Sequence, residues 1–301
     1  MTDTPTTPDV TSVAADTGPT ARRRQLGFRL LALRRDRGLS AEEAGERAGM
    51  SKANVSRYEQ SKGNVRWNQV DALCRVYGVS DAERQELIDL AKNSKVTEGW
   101  WVPYHGRLSA PMQMLLPIEN ESSRIRQLAT NVVPGLLQTL LYAQAIKATP
   151  GKTLEPEDAG EFLDMRMYRQ KILDRASPPD YHVLLDESVL RRAVGGPVVM
   201  AEQLDLLLER GQDVNIQIQV LPFDSGAYSA ALSSFIVYGG PDPLLDVIFI
   251  ENTVGSLFLE EEGAREAHVG GFDFLCREAL DPDSSAELIA EARKTHLRNR
   301  N

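Results

Sequence analysis

Apolar residues follow two regimes along the chain. From Ala21 onward, Leu26, Leu30 and Leu33 recur at helical spacing with arginines on the other faces, and Arg37-Gly38 ends this first helix. Ser40 then stands as an N-cap with Glu43 three residues later, a capping-box arrangement that opens a second helix running to about Ala48. Gly49 permits the positive φ of a tight turn, Met50 points inward, and Ser51 caps a third helix running to about Gln60. Val70, Leu73, Cys74 and Tyr77 at i, i+3, i+4 and i+7 predict a fourth helix, with Cys74 a small buried hydrophobe on its inward stripe. Ser80 before Leu87, Ile88 and Leu90 predicts a fifth.

Beyond Lys95 the pattern changes in kind, and helical stretches mix with strand-like runs. Pro156 to Ala176 reads as one long amphipathic helix, and His182 to Leu185 as a short strand. Pro197 opens a helix that ends at Gly211, and Val214 to Leu221 alternates as a strand with one buried face. Ser234–Tyr238 and Val247–Ile250 are two more strands, Leu257–Leu259 is a fourth candidate, and helices near Ala264–Leu280 and Ser285–Leu297 close the chain. The expected architecture is an all-α N-terminal helix-turn-helix domain followed by an α+β domain with a small mixed sheet. The expected divisions are a disordered tail at residues 1–20, a helical head at 21–93 and an α+β body at 94–301, with the boundary near residues 93 to 100. The tail holds two Val as its only large aliphatics, too little apolar surface to offset the entropy of ordering.

Charge sharpens this division. The net charge of −9 would disfavour a polyanionic partner if it were spread evenly. It is not: residues 21–78 carry 13 Lys+Arg against 6 Asp+Glu, whereas residues 79–301 carry 21 against 34. A basic head on an acidic body is the footprint of a nucleic-acid reader. The stretch Ala41–Gln60 has what a helix-turn-helix needs: a small residue, Gly45, where two helices cross, a turn at Gly49, and inward Val55 and Tyr58. Lys52, Ala53, Asn54, Ser56 and Arg57 then form the outward, base-edge face. Arg57 has the chemistry to hold guanine bidentately or to contact phosphate, and Asn54 to read adenine. Arg22, Arg23, Arg24, Ser51, Lys62, Asn64 and Arg66 are the phosphate candidates.

These residues resemble the lambda-repressor-like, XRE-type helix-turn-helix family over residues 22–91, with Ala44 where a larger aliphatic is common and Gly45 where alanine is common. The remainder, residues 97–298, resembles the C-terminal domain of actinobacterial WhiJ-like regulators. The matching words are GWW at Gly99–Trp101, SRIR at Ser123–Arg126, VPGLLQT at Val133–Thr139, DRASPP at Asp174–Pro179, LDESVLRRAVGGP at Leu185–Pro197, IQVLPF at Ile218–Phe223 and FIEN at Phe249–Asn252. Tyr228 stands where histidine is more frequent. The resemblance implies a homodimeric regulator whose body contacts a small BldB-type protein or senses a small-molecule effector. An antitoxin-like protein that chiefly captures such a partner is the alternative.

Other chemistry is sparse. Trp100, Trp101, Tyr104, Phe223 and Tyr228 are ligand or partner candidates, since aromatics supply contact area at little entropy cost, and the alternative use of the two tryptophans, the favoured one, is core packing between the two domains. Asp186 and Glu187 follow an apolar strand and are read as capping the next helix, and Gly195-Gly196-Pro197 as a helix start. His105, His182, His268 and His296 are dispersed, and Cys74 and Cys276 are 202 positions apart, so neither a metal site nor a disulfide framework is expected. The chain shows no G-x-S-x-G, G-x-x-x-x-G-K or H-E-x-x-H motif and no dinucleotide glycine fingerprint. A soluble, cytoplasmic, non-enzymatic regulator without cofactor, binding double-stranded DNA and no membrane, is the expectation.

Overall fold

The computed structural model describes residues 21–61, 65–93, 100–101, 104, 108–148, 156–226, 233–252 and 255–299. The chain falls into two compact units, Met1–Ile118 and Glu119–Asn301. The boundary expected near residues 93–100 falls largely on residues 94–99, which lie outside the described residues.

The first unit begins with five helices: α1 (Ala21–Asp36), α2 (Ala41–Ala48), α3 (Lys52–Glu59), α4 (Trp67–Tyr77) and α5 (Asp81–Asn93). The helical stripes converge, with Leu26, Leu30, Ala44, Val55, Val70, Leu73, Cys74, Tyr77 and Leu87 all fully buried in one core. Burial pushes the Cys74 thiol up to about 11, so it packs as a neutral apolar group. Two glycines set the closest approaches. A Cβ on Gly45 would lie 2.7 Å from the Met50 carbonyl oxygen, and one on Gly27 would lie 2.6 Å from that of Tyr58. Backbone cannot give way as a side-chain tip can, so α1 crosses the end of α3 only where a side chain is missing.

The second unit is built on a six-stranded sheet in the order β3-β2-β1-β4-β5-β6. Its strands are β1 (Arg124–Ala129), β2 (Asp180–Asp186), β3 (Ile216–Leu221), β4 (Phe235–Gly239), β5 (Val247–Glu251) and β6 (Ser256–Leu259). β1, β2 and β3 run parallel, whereas β4 to β6 continue antiparallel from β1. Parallel neighbours need long crossovers. Between β1 and β2 come α7 (Leu140–Lys147) and α8 (Pro156–Arg169), and between β2 and β3 come α9 (Glu187–Arg191) and α10 (Pro197–Arg210). The final helices are α11 (Glu262–Glu278) and α12 (Pro282–Arg298), the latter capped by Asp281, which accepts from the Ser284 amide at 3.0 Å. Helix α6 (Ala110–Glu121) precedes the sheet. The all-α plus α+β expectation matches this architecture.

Four details correct the sequence reading. The long helix expected over Pro156–Ala176 ends at Arg169 and tightens into a 3-10 segment, Gln170–Asp174. There Gln170 Nε2 donates to the carbonyls of Gly135 and Gln138 at 3.0 and 2.8 Å. The strand expected from Val214 starts at Ile216, and Val214 itself is wholly exposed. That strand does not alternate cleanly, because Gln219 is buried and donates to the Leu280 carbonyl at 2.8 Å. Finally, β1, the strand joining the parallel and antiparallel halves, carries Arg124, Arg126 and Gln127 and has no apolar run to announce it.

Both faces of the sheet are covered. Leu128, Leu184, Leu221, Phe235, Val237 and Ile248 pack with Phe272 and Leu275 of α11. The period of two sends Tyr181, Ile125 and Tyr238, which are in register across three strands, to the opposite face. Asp186 caps α9 by accepting from the Ser188 amide at 2.9 Å, as the sequence reading had it, whereas Glu187, read with it as a cap, is the buried first residue of the helix and accepts from the Phe223 amide at 2.9 Å.

Candidate nucleic-acid interface

The outward face of α3 is fixed by what lies beneath and at both ends of it. Val55 is fully buried and Tyr58 is 6% exposed, so these two side chains set the helix rotation about its axis. Tyr58 also donates its hydroxyl to Gln69 Oε1 on α4. At the N-terminus, Ser51 Oγ accepts from the Asn54 amide at 3.2 Å. The preceding helix carries the full capping box: Ser40 Oγ accepts from the Glu43 amide at 3.1 Å, and Glu43 Oε2 accepts from the Ser40 amide at 2.8 Å. These hydrogen bonds hold the exposed Glu43 carboxyl below its usual pKa. Gly49 joins the two helices at φ 68°, the left-handed value the turn requires.

The C-terminal end of α3 is held by a pair that local pattern does not announce. Arg34 of α1 grips Glu59 through Nε at 2.6 Å and Nη2 at 2.9 Å, and its Nη1 donates to the Leu39 carbonyl at 2.6 Å. The two side chains are only 14% and 6% exposed. The hydrogen bonds to Glu59 outweigh the effect of burial and raise the pKa of Arg34. Beside this pair Ser61 adopts φ 59°, and its hydroxyl donates to the Arg23 carbonyl at 3.2 Å.

Lys52, Ala53 and Arg57 are exposed, while Asn54 and Ser56 are partly buried. Arg57 donates through Nη2 to Asn54 Oδ1, one helical turn back, which pre-aligns two side chains able to read purines. Lys52 Nζ lies 3.6 Å from Glu42, and both side chains remain about two-thirds exposed, so the contact is solvent-screened. Ser51 and Arg66 are exposed. Arg66, Trp67, Asn68 and Lys92 line a cleft of about 410 Å³ beside α4, with Lys92 Nζ 5.5 Å from the Trp67 ring centroid. Arg23 is half-buried, with its Nε sealed from solvent. The side chains of Arg22 and Arg24, and residues Lys62, Asn64, Tyr228 and His105, lie outside the described residues.

Of the aromatic candidates, Trp100 stacks edge-on against Trp101 at 6.0 Å and Tyr104 at 6.3 Å, forming one cluster in the first unit. Phe223 belongs to the second unit and is 62% exposed. His182 and His296 are tied to Gln219 Oε1 and the Leu190 carbonyl, both at 2.8 Å, and His268 to the Ala264 carbonyl at 2.7 Å. Among the described residues no group of three or more His, Cys, Asp or Glu forms a metal-binding set, and no helix is long and apolar enough to cross a membrane.

A helix-turn-helix domain model matches residues 25–87, and a domain of unknown function, DUF5753, matches residues 112–291. No curated protein and no solved structure matches the chain. With that match spanning more than half of its length, the chain belongs to the DUF5753 family, and it carries a helix-turn-helix domain ahead of the family's shared domain.

Proposed function

We propose that the protein is a sequence-specific transcriptional regulator that binds double-stranded DNA as a homodimer, α3 lying in the major groove. The observation that carries this reading is the exposed Lys52-to-Arg57 side of a helix whose opposite side is locked into the core. One head makes few base contacts, so useful specificity calls for two half-sites spaced by about one helical turn, 10 to 10.5 base pairs, or a multiple. The acidic body then limits nonspecific sticking by repelling the duplex outside the head. The WhiJ-like resemblance supports a body that governs assembly and response, through a small protein partner or an effector, and the reading requires no catalysis.

Selection from a random duplex pool tests this directly. The expected product is a paired motif whose affinity falls with salt at a log-log slope of about −5, as for some six neutralised phosphates. A flat salt titration, or no enriched motif, contradicts the reading.

A further inference from the structure

Inside the second unit, among the described residues, two arginines of α8 lie beside one buried acid. Glu119 is 2% exposed and is already engaged by three donors: Arg169 Nε at 2.5 Å, Arg169 Nη2, and the Tyr238 hydroxyl at 3.0 Å. Burial opposes the charge on Arg169, but Glu119 overcomes it and raises the pKa of that guanidinium. Among the described residues Arg166, one turn earlier on α8, has no such carboxylate partner. Its Nη1 donates to the amide oxygen of Gln138 at 2.6 Å, its Nε and Nη2 make no hydrogen bond to the described residues, and the residue as a whole is partly exposed. Glu251, exposed at the end of β5, is the acid that acts on it through space, without a hydrogen bond. Desolvation and the neighbouring Arg169 pull the Arg166 guanidinium down to about 10, a sign of how poorly this charge is compensated.

The surroundings are arranged rather than incidental. Arg166 Nη2 and Arg169 Nη1 both converge on Gly135, each 3.8 Å from where a Cβ would stand. Gln138 is locked in turn, its Nε2 donating to the Val133 carbonyl at 2.7 Å. The Arg166 guanidinium lies 5.3 Å from the Phe162 ring centroid, and Lys147 Nζ lies 4.5 Å from the same ring. A desolvated cation without a carboxylate costs stability, and an anion bound beside it would offset that cost. Arg supplies a planar donor fork that fits a carboxylate or phosphoryl oxygen pair.

We propose that Arg166, at the rim formed by Gly135, Phe162 and Lys147, binds a small anion through a carboxylate or phosphoryl group. The binding step stands apart from the DNA-reading proposal; only an effect of the anion on operator affinity would rest on it.

The test is titration of the full chain with inorganic phosphate and, separately, with sodium benzoate, at constant ionic strength, read by calorimetry and thermal melting. Saturable binding of one probe is expected, and which one binds assigns the phosphoryl or the carboxylate class. Arg166→Gln should weaken it at least about tenfold, the loss expected for charge-assisted hydrogen bonds, while the ligand-free melting temperature stays level or rises. Arg166→Lys, which keeps the charge and loses the fork, should fall between. Arg57→Ala should leave binding of the anion unchanged, which separates this site from the head. The proposal is overturned by the absence of saturable binding to either probe, by equal binding in Arg166→Gln, by loss of binding in Arg57→Ala, or by a clear drop in the ligand-free melting temperature of Arg166→Gln, which would make the guanidinium structural.

Discussion

Arg57→Ala should lower affinity for the enriched duplex by about 10- to 100-fold per half-site, the range for one bidentate base contact, and should leave the thermal melt nearly unchanged. The stability half of this expectation follows from exposure: Arg57 contacts Asn54 and contributes nothing to the core. Arg57→Lys separates the two chemistries open to this side chain. A lysine retains most of a phosphate contact but cannot reproduce a two-toothed grip on guanine, so a loss as deep as that of alanine assigns Arg57 to a base. Asn54→Ala removes the acceptor that aligns Arg57, and the double variant should lose less than the two single losses combined, because the two side chains act as a unit. Binding curves at two salt concentrations check all three variants.

The second large effect falls on folding. Glu59→Ala strands the Arg34 guanidinium, 14% exposed, beside a space where its carboxylate was, and should destabilise the first unit by about 3–5 kcal/mol. Arg34→Met combined with Glu59→Leu removes both charges and should recover most of that loss, since apolar replacements of a buried pair are often neutral. Chemical denaturation of the full chain, with the transition of the first unit followed separately, measures both. The pair also anchors the last turn of α3, so the single variant should lose DNA affinity at temperatures where it remains folded.

The contrast between these two residues shows what the sequence makes legible. Arg57 is readable because helical period and caps place it: Ser51 before it, Val55 and Tyr58 inward, and therefore Arg57 outward. The glycines at 38 and 49, with φ of 64° and 68°, are readable as helix stops for the same local reason. Arg34 and Glu59 are 25 positions apart, and nothing in the spacing of either pairs them. Gly27 is equally silent, since its role is set by the carbonyls of Tyr58 and Glu59 on another helix.

In the second unit the local runs of β2, β4 and β5 are visible as apolar stretches, but the sheet order is not, because parallel neighbours are paired across whole crossovers. β1 escapes notice because its arginines find acids far along the chain: Arg124 meets Asp246 at 2.9 Å, and Arg126 meets Asp273 at 3.1 Å. The tether at Gln170 cuts α8 short for a similar reason, as a tertiary hydrogen bond overrides a helical pattern. The anion-site candidates Arg166 and Gly135 also come together only through this long-range packing.

The central claim is that the Lys52-to-Arg57 side of α3 faces the bases. A photocrosslinking side chain at Ala53, exposed on the first turn of α3, tests it against the same group at Ala82, exposed on α5. Efficient crosslinks are expected from position 53 to bases inside the enriched motif, and few from position 82. Equal yields, or crosslinks from position 82 alone, would contradict it.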